Sequence, residues 1–104
     1  MNYILAMKRA LLIVNPAARA GLDQSSRVAA LQKKLQQAGI DSEAIRTEAP
    51  QHAISLARDA EHFDLIVAVG GDGTANEVAS GIDAQRAPRP AFAVAPFGDR
   101  KSVV

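Results

Sequence analysis

Leu65-Ile66-Val67-Ala68-Val69 is an unbroken apolar run that passes directly into Gly70-Gly71-Asp72-Gly73-Thr74. A short apolar stretch without alternation suits a strand buried on both faces, the position of strands inside a parallel sheet. The glycines that follow permit a tight turn. Thr74 and Glu77 stand in capping-box spacing ahead of Val78, Ala79 and Ile82, which predicts a short helix from about Ala75. The competing reading is a Gly-Asp-Gly hairpin turn, but a second hairpin strand needs an alternation that residues 75–82 lack.

The rest of the chain repeats this grammar. Arg9–Val14 (RALLIV) is a second doubly buried strand ended by Asn15-Pro16, followed by the small-residue loop Ala17–Gly21. Asp23 is placed to cap a helix whose Val28, Leu31 and Leu35 share one face, and Gly39 to end it. Ile40–Thr47 reads as a strand. Pro50 suits the first turn of a helix that buries Ala53, Ile54, Ala57 and Ala60. Asp83–Pro90 is a polar loop, and Ala91–Ala95 a fourth strand ending at Pro96-Phe97-Gly98. Strands and helices in strict alternation predict an α/β fold: a Rossmann-like three-layer half domain with a mostly parallel sheet. No further helix follows the fourth strand to cover its face, so apolar surface is expected there.

Composition narrows the function classes. Of 104 residues 48% are hydrophobic and 22% charged, as in a folded domain, and there is no cysteine to staple it or to ligate a metal. Net charge is +1, and acids and bases balance once Asp99–Val104 is set aside, so no nucleic-acid footprint exists. At the N-terminus Lys8-Arg9 interrupts the apolar residues where a signal peptide would carry charge ahead of them. Met1–Ala6 is read as a short leader or upstream start, and a cytoplasmic location is expected.

In a parallel sheet ligands gather at the C-terminal strand ends. Asn15, Thr47 and Gly70–Thr74 all fall on that edge. Glycines let a phosphate approach the main chain, and the free N–H groups of a helix start favour an anion. Asp72 is placed to orient a ribose or phosphate-bound water, or to help hold Mg²⁺, and Thr74 to donate its hydroxyl to a phosphate. His52 and His62 have no metal-ligand spacing and read as solvated surface residues; Ser25, Ser26 and Ser55 form no catalytic order with them. Lys33-Lys34 belongs to a solvated helix face.

These motifs resemble a known family. Asn15-Pro16 with the small residues to Gly21, Thr47 ahead of His52-Ala53, and Gly70-Gly71-Asp72-Gly73-Thr74-Ala75-Asn76-Glu77-Val78 look like the diacylglycerol kinase catalytic domain. More narrowly, the chain is similar to bacterial lipid kinases of the YegS and BmrU type over about residues 8–98. The resemblance implies phosphoryl transfer from ATP, with Mg²⁺, to a lipid hydroxyl presented at a membrane surface, transient contact with the inner membrane surface, and a possible dimer. It implies nucleotide contacts by Asn15, Ala17, Ala18, Arg19, Thr47, Gly70, Gly71, Asp72, Gly73, Thr74, Asn76 and Glu77, with Asp72 meeting the metal through the Mg-nucleotide. The acceptor-activating carboxylate of the family belongs to a later β-rich domain, so residues 1–104 alone are expected to be inactive. NAD kinases and sphingoid-base kinases share such a loop and stay open as alternatives, as does a nucleotide-binding fragment without catalysis.

The family pattern continues Pro-x-Gly-Thr-x-Asn-Asp, whereas this chain reads Pro96-Phe97-Gly98-Asp99. Written back into codons, Asp99–Val104 resembles a widely used sequencing-library adapter. The expectation is therefore that residues 99–104 are a non-native tail and that the natural protein continues past Gly98.

Overall fold

Two apolar strands form the middle of the molecule. The computed structural model describes residues 8–16, 24–85 and 89–96. In chain order it contains β1 (Arg9–Val14), α1 (Gln24–Gln37), β2 (Asp41–Arg46), α2 (His52–Arg58), β3 (Leu65–Gly70), α3 (Asp72–Asp83) and β4 (Ala91–Pro96). The sheet order is β2-β1-β3-β4 and every pairing is parallel. The expected α/β layering with a parallel sheet is what forms. Asp23, the Ala17–Gly21 loop, Phe97-Gly98 and Asp99–Val104 lie outside the described residues.

Strand position follows from composition. RALLIV and LIVAVG are apolar on both faces and take the two central places, with Leu11 paired to Ile66 and Ile13 to Ala68. β2 (DSEAIR) is polar on most of its length and takes an edge. β4 takes the other edge in small steps of Ala.

Each face has its own core. Ala10, Leu12, Val14, Val67 and Val69 meet Val28, Leu31 and Leu35 of α1. Leu11, Ile13, Ile66 and Ala68 meet Ala53 and Ala57 of α2 and Val78 and Ile82 of α3. β4 is incompletely covered: Phe92 and Val94 share the face of Ile66 and Ala68 but remain 41% and 48% exposed. The uncovered apolar surface expected on the fourth strand is present.

Local signals set the helix ends, with two departures. α1 stops in a Schellman turn: Gly39 has φ +85°, its N–H donates to Gln36 C=O at 2.9 Å, and Ile40 N–H donates to Leu35 C=O at 2.9 Å. Pro50 does not sit in the first turn of α2 but precedes it, and Gln51 intervenes with φ 71°. α3 starts at Asp72, not near Ala75, and its N-cap is Gly71 with no side-chain cap. Thr74 is unavailable for capping because it is buried under Gly70. A Cβ on Gly70 would lie 2.7 Å from Thr74 Oγ1 and 3.3 Å from Asn15 Cβ, so the turn closes only over glycine.

α2 and α3 pack at very short range, which small residues allow. A Cβ on Gly81 would lie 2.6 Å from Ala57 Cβ and 2.9 Å from Arg58 N. The buried Gln85 side chain, just past α3, donates from Nε2 to Ala57 C=O at 2.6 Å and so satisfies a carbonyl near the end of α2. We expect Gly81→Ala to cost about 1–3 kcal/mol by overpacking, read as a lower urea midpoint with an unchanged slope.

At the opposite end of the sheet, Asp64 joins strand starts. Its Oδ2 accepts the N–H groups of Lys8 and Arg9 at 2.9 and 3.0 Å, and its C=O accepts Ala91 N–H. Those two backbone bonds hold the carboxyl below the usual carboxylate range, helped by the charges of Arg9 and Lys8. A depressed pKa adds stability above the unfolded value, lost as pH falls through the folded one. Asp64→Asn should therefore cost about 1 kcal/mol at neutral pH. Urea midpoints of the two proteins should begin to converge as pH falls through the ordinary carboxylate range, about pH 4, and meet only below the depressed native pKa.

Candidate functional site

Reversal of strand order creates the site. From β1 the chain crosses to β2 on one side, then returns to β3 on the other, so the loops after β1 and β3 diverge at their C-terminal ends. Such a switch point opens a crevice that the sheet itself cannot fill. Here the crevice is a cleft of about 640 Å³ lined by Asn15, Pro16, Thr47, Glu48, Ala49, Pro50, Ala53, Gly71, Gly73, Thr74 and Glu77.

Hydrogen bonds just beyond the strands fix its walls. Asn15 N–H donates to Val69 C=O at 3.0 Å, and Thr47 N–H donates to Val14 C=O at 2.8 Å. These extend the ladder by one step on each side of β1 and set Asn15 and Thr47 against the glycine loop. The first helical bond of α3 runs from Ala75 N–H to Gly71 C=O at 3.1 Å. The N–H groups of Asp72, Gly73 and Thr74 therefore precede the helical ladder, where a helix start attracts negative charge.

Two glycines here answer to nothing among the described residues. Added Cβ atoms on Gly71 and Gly73 would meet no atom of those residues within 4 Å, and neither glycine has positive φ. Gly73 lies within α3, where glycine is an unfavourable choice. Gly70 is glycine because of its neighbours, whereas Gly71 and Gly73 leave room on the cleft side.

Of the residues expected in the site, Asn15, Thr47, Gly71, Gly73, Thr74 and Glu77 line the cleft. Gly70 is buried behind it. Asp72 and Asn76 are exposed on α3 and outside the lining, although Asp72 in the first turn suits the helix field. Ala17, Ala18 and Arg19 fall outside the described residues. Among the described lining residues the charges are the carboxylates Glu48 and Glu77, with no cation. No group of three or more His, Cys, Asp or Glu among the described residues can hold a metal ion.

The segment Thr47–Gln51 was underestimated. Glu48, Ala49 and Pro50 form a wall with no motif of their own; only the rule of strand ends could have selected them. His52 is half-buried rather than a free surface residue, and its Nδ1 accepts Glu48 N–H at 3.0 Å. Glu77 Oε2 accepts Gln51 N–H at 3.2 Å, so it bonds to this loop and not back to the Thr74 backbone as a capping box would require.

Comparison with known proteins gives this cleft a family. The sequence profile of the diacylglycerol kinase catalytic domain matches residues 9–103. The chain is 39% identical over 94 residues to a diacylglycerol kinase of Bacillus subtilis (strain 168), covering 88% of this chain and 30% of that protein. It is 41% identical over 93 residues to one of Staphylococcus aureus (strain JH9), covering 88% and 29%. A crystal structure of a diacylglycerol kinase from Bacillus anthracis str. Sterne superposes with a TM-score of 0.74 at 32% identity, covering 88% of this chain and 34% of that one. The chain thus spans about 30% of the length of the curated relatives it matches. With its profile match, its relatives and its fold in agreement, the chain belongs to the diacylglycerol kinase catalytic domain family.

Proposed function

We propose that this chain carries the nucleotide-binding part of an ATP-dependent lipid kinase, which moves a phosphoryl group from Mg·ATP to a hydroxyl of a diacylglycerol-like acceptor at a membrane surface. The observation that carries the reading is the empty space over Gly71 and Gly73 at the start of α3. Glycines that serve neither packing nor backbone conformation, beside N–H groups outside the helical ladder, suit close approach of a phosphate. The names of the relatives supply the acceptor class.

The donor set is consistent with a metal that arrives with the nucleotide. Among the described residues, the exposed Asp72 and two cleft carboxylates, with no cation in the lining, form no resident metal cage. Mg²⁺ is commonly held by one or two carboxylates together with substrate phosphates, and there it neutralises phosphate charge. On this reading the Gly71–Thr74 main chain binds the phosphates, and Asn15 and Thr47 bound the nucleotide from neighbouring strand ends. Asp72 lies at the rim as the nearest metal contact of α3. Among the described residues no helix is long and apolar enough to cross a membrane.

Calorimetric titration of the chain with Mg·ATP should show binding that weakens at least about tenfold when a chelator removes the metal, because Glu48 and Glu77 then face bare phosphates. Equal affinity with and without metal would overturn the metal assignment, and no binding would overturn the nucleotide site. Gly73→Ala separates ligand space from folding. It should raise stability by about 0.5 kcal/mol through helix propensity while weakening Mg·ATP at least about tenfold. The purified 104-residue chain should not phosphorylate diacylglycerol in mixed micelles; turnover there would overturn its assignment to the nucleotide-binding part alone.

A further inference from the structure

One wall of the cleft is held by side chains in addition to the turn bonds from His52 N–H to Ala49 C=O and from Ile54 N–H to Gln51 C=O, both 3.1 Å. Thr47–Gln51 joins β2 to α2, and four of its five residues line the cleft. Thr47 is fixed by the sheet through Val14 C=O, but past it the ladder ends. Two of the next backbone N–H groups instead donate to side chains from helices. Glu48 N–H donates to His52 Nδ1 at 3.0 Å, and Gln51 N–H donates to Glu77 Oε2 at 3.2 Å.

The second tether holds an unfavourable geometry. Gln51 has φ 71°, a left-handed conformation that costs an L residue roughly 1–2 kcal/mol. It is retained where α3, through Glu77, meets the residue before α2. The first tether is short in sequence: the imidazole of the first α2 residue reaches back four positions.

From this geometry we infer that His52 and Glu77 are positioning residues of the nucleotide cleft. They fix Glu48–Gln51, the part of the wall past the sheet, at its distance from Gly71–Thr74, and this role runs through the wall. The inference rests on the nucleotide reading above, and it adds to it a function for a histidine with no metal or catalytic partner.

Variants that keep or remove the acceptor test it. Asn carries Oδ1 on Cγ where His carries Nδ1, so His52→Asn keeps the acceptor and His52→Ala removes it; Glu77→Gln and Glu77→Ala form the matching pair. Amide hydrogen exchange on the ligand-free chain reads the tethers directly. Glu48 should lose protection about fivefold or more in His52→Ala, and Gln51 likewise in Glu77→Ala, with both restored in the conservative variants. Mg·ATP affinity, measured in parallel, should fall about three- to tenfold in His52→Ala and stay within about twofold of wild type in His52→Asn; Glu77, which itself lines the cleft, is read by exchange alone.

Unchanged protection of Glu48 and Gln51 in the alanine variants would overturn the tethers. Lost protection with unchanged affinity would overturn the positioning role while leaving the cleft as a nucleotide site. Equal loss of affinity in His52→Ala and His52→Asn would point to direct contact and also overturn it. Absence of Mg·ATP binding by the wild type would overturn the nucleotide reading, and the positioning role with it, even with the tethers seen in exchange.

Discussion

Everything in this molecule is arranged around the pairing of β1 with β3. These strands are apolar on both faces, and neither can be stable until both faces are covered. That requirement demands helices above and below, and the alternating chain supplies α1 to one side and α2 with α3 to the other. It also fixes where the cleft lies. Because β2 and β4 are added on opposite sides of the central pair, the chain leaves β1 and β3 in divergent directions at the same edge. The cleft is a by-product of burying two strands.

Covering one face with two helices imposes a further constraint. α2 and α3 must share the surface of Leu11, Ile13, Ile66 and Ala68, and they fit only by presenting Ala53, Ala57 and Gly81 to each other and to the sheet. Small side chains supply little apolar area individually. What they supply is proximity, which lets Gln85 reach a carbonyl of α2 and Glu77 reach the N–H before it.

The parts of the fold legible in the sequence were those dictated by neighbours along the chain. β1 and β3 announce themselves because continuous apolar runs have no comfortable place outside a buried sheet. Gly39 is legible because a helix end needs positive φ there, and Gly70–Thr74 because glycines after a strand mark a turn. The start of α3 was misplaced because Thr74 carries the signature of a cap, yet tertiary packing beneath Gly70 takes its side chain. The cleft wall escaped notice for a related reason. Glu48, Ala49 and Pro50 carry no pattern, and the Glu77–Gln51 bond spans 26 positions. His52 looked solvated because nothing in its spacing reveals that a backbone N–H four residues earlier turns back to meet it. Gly70, Gly71 and Gly73 were legible as a turn; that Gly71 and Gly73 meet none of the described residues, whereas Gly70 is closed in by Thr74 and Asn15, was visible only in three dimensions.

The double link between α2 and α3 has a mechanical consequence. α2 and the segment before it supply the floor and one wall of the cleft through Ala53 and Thr47–Pro50, and α3 supplies the glycine turn. Clamped near one end by Gln85 and near the other by Glu77, with no side chain at Gly81 to act as a spacer, the pair behaves as a single stiff bracket. Its aperture is set when the chain folds. A bracket tied in this way has little ordering entropy left to lose, whatever enters the cleft.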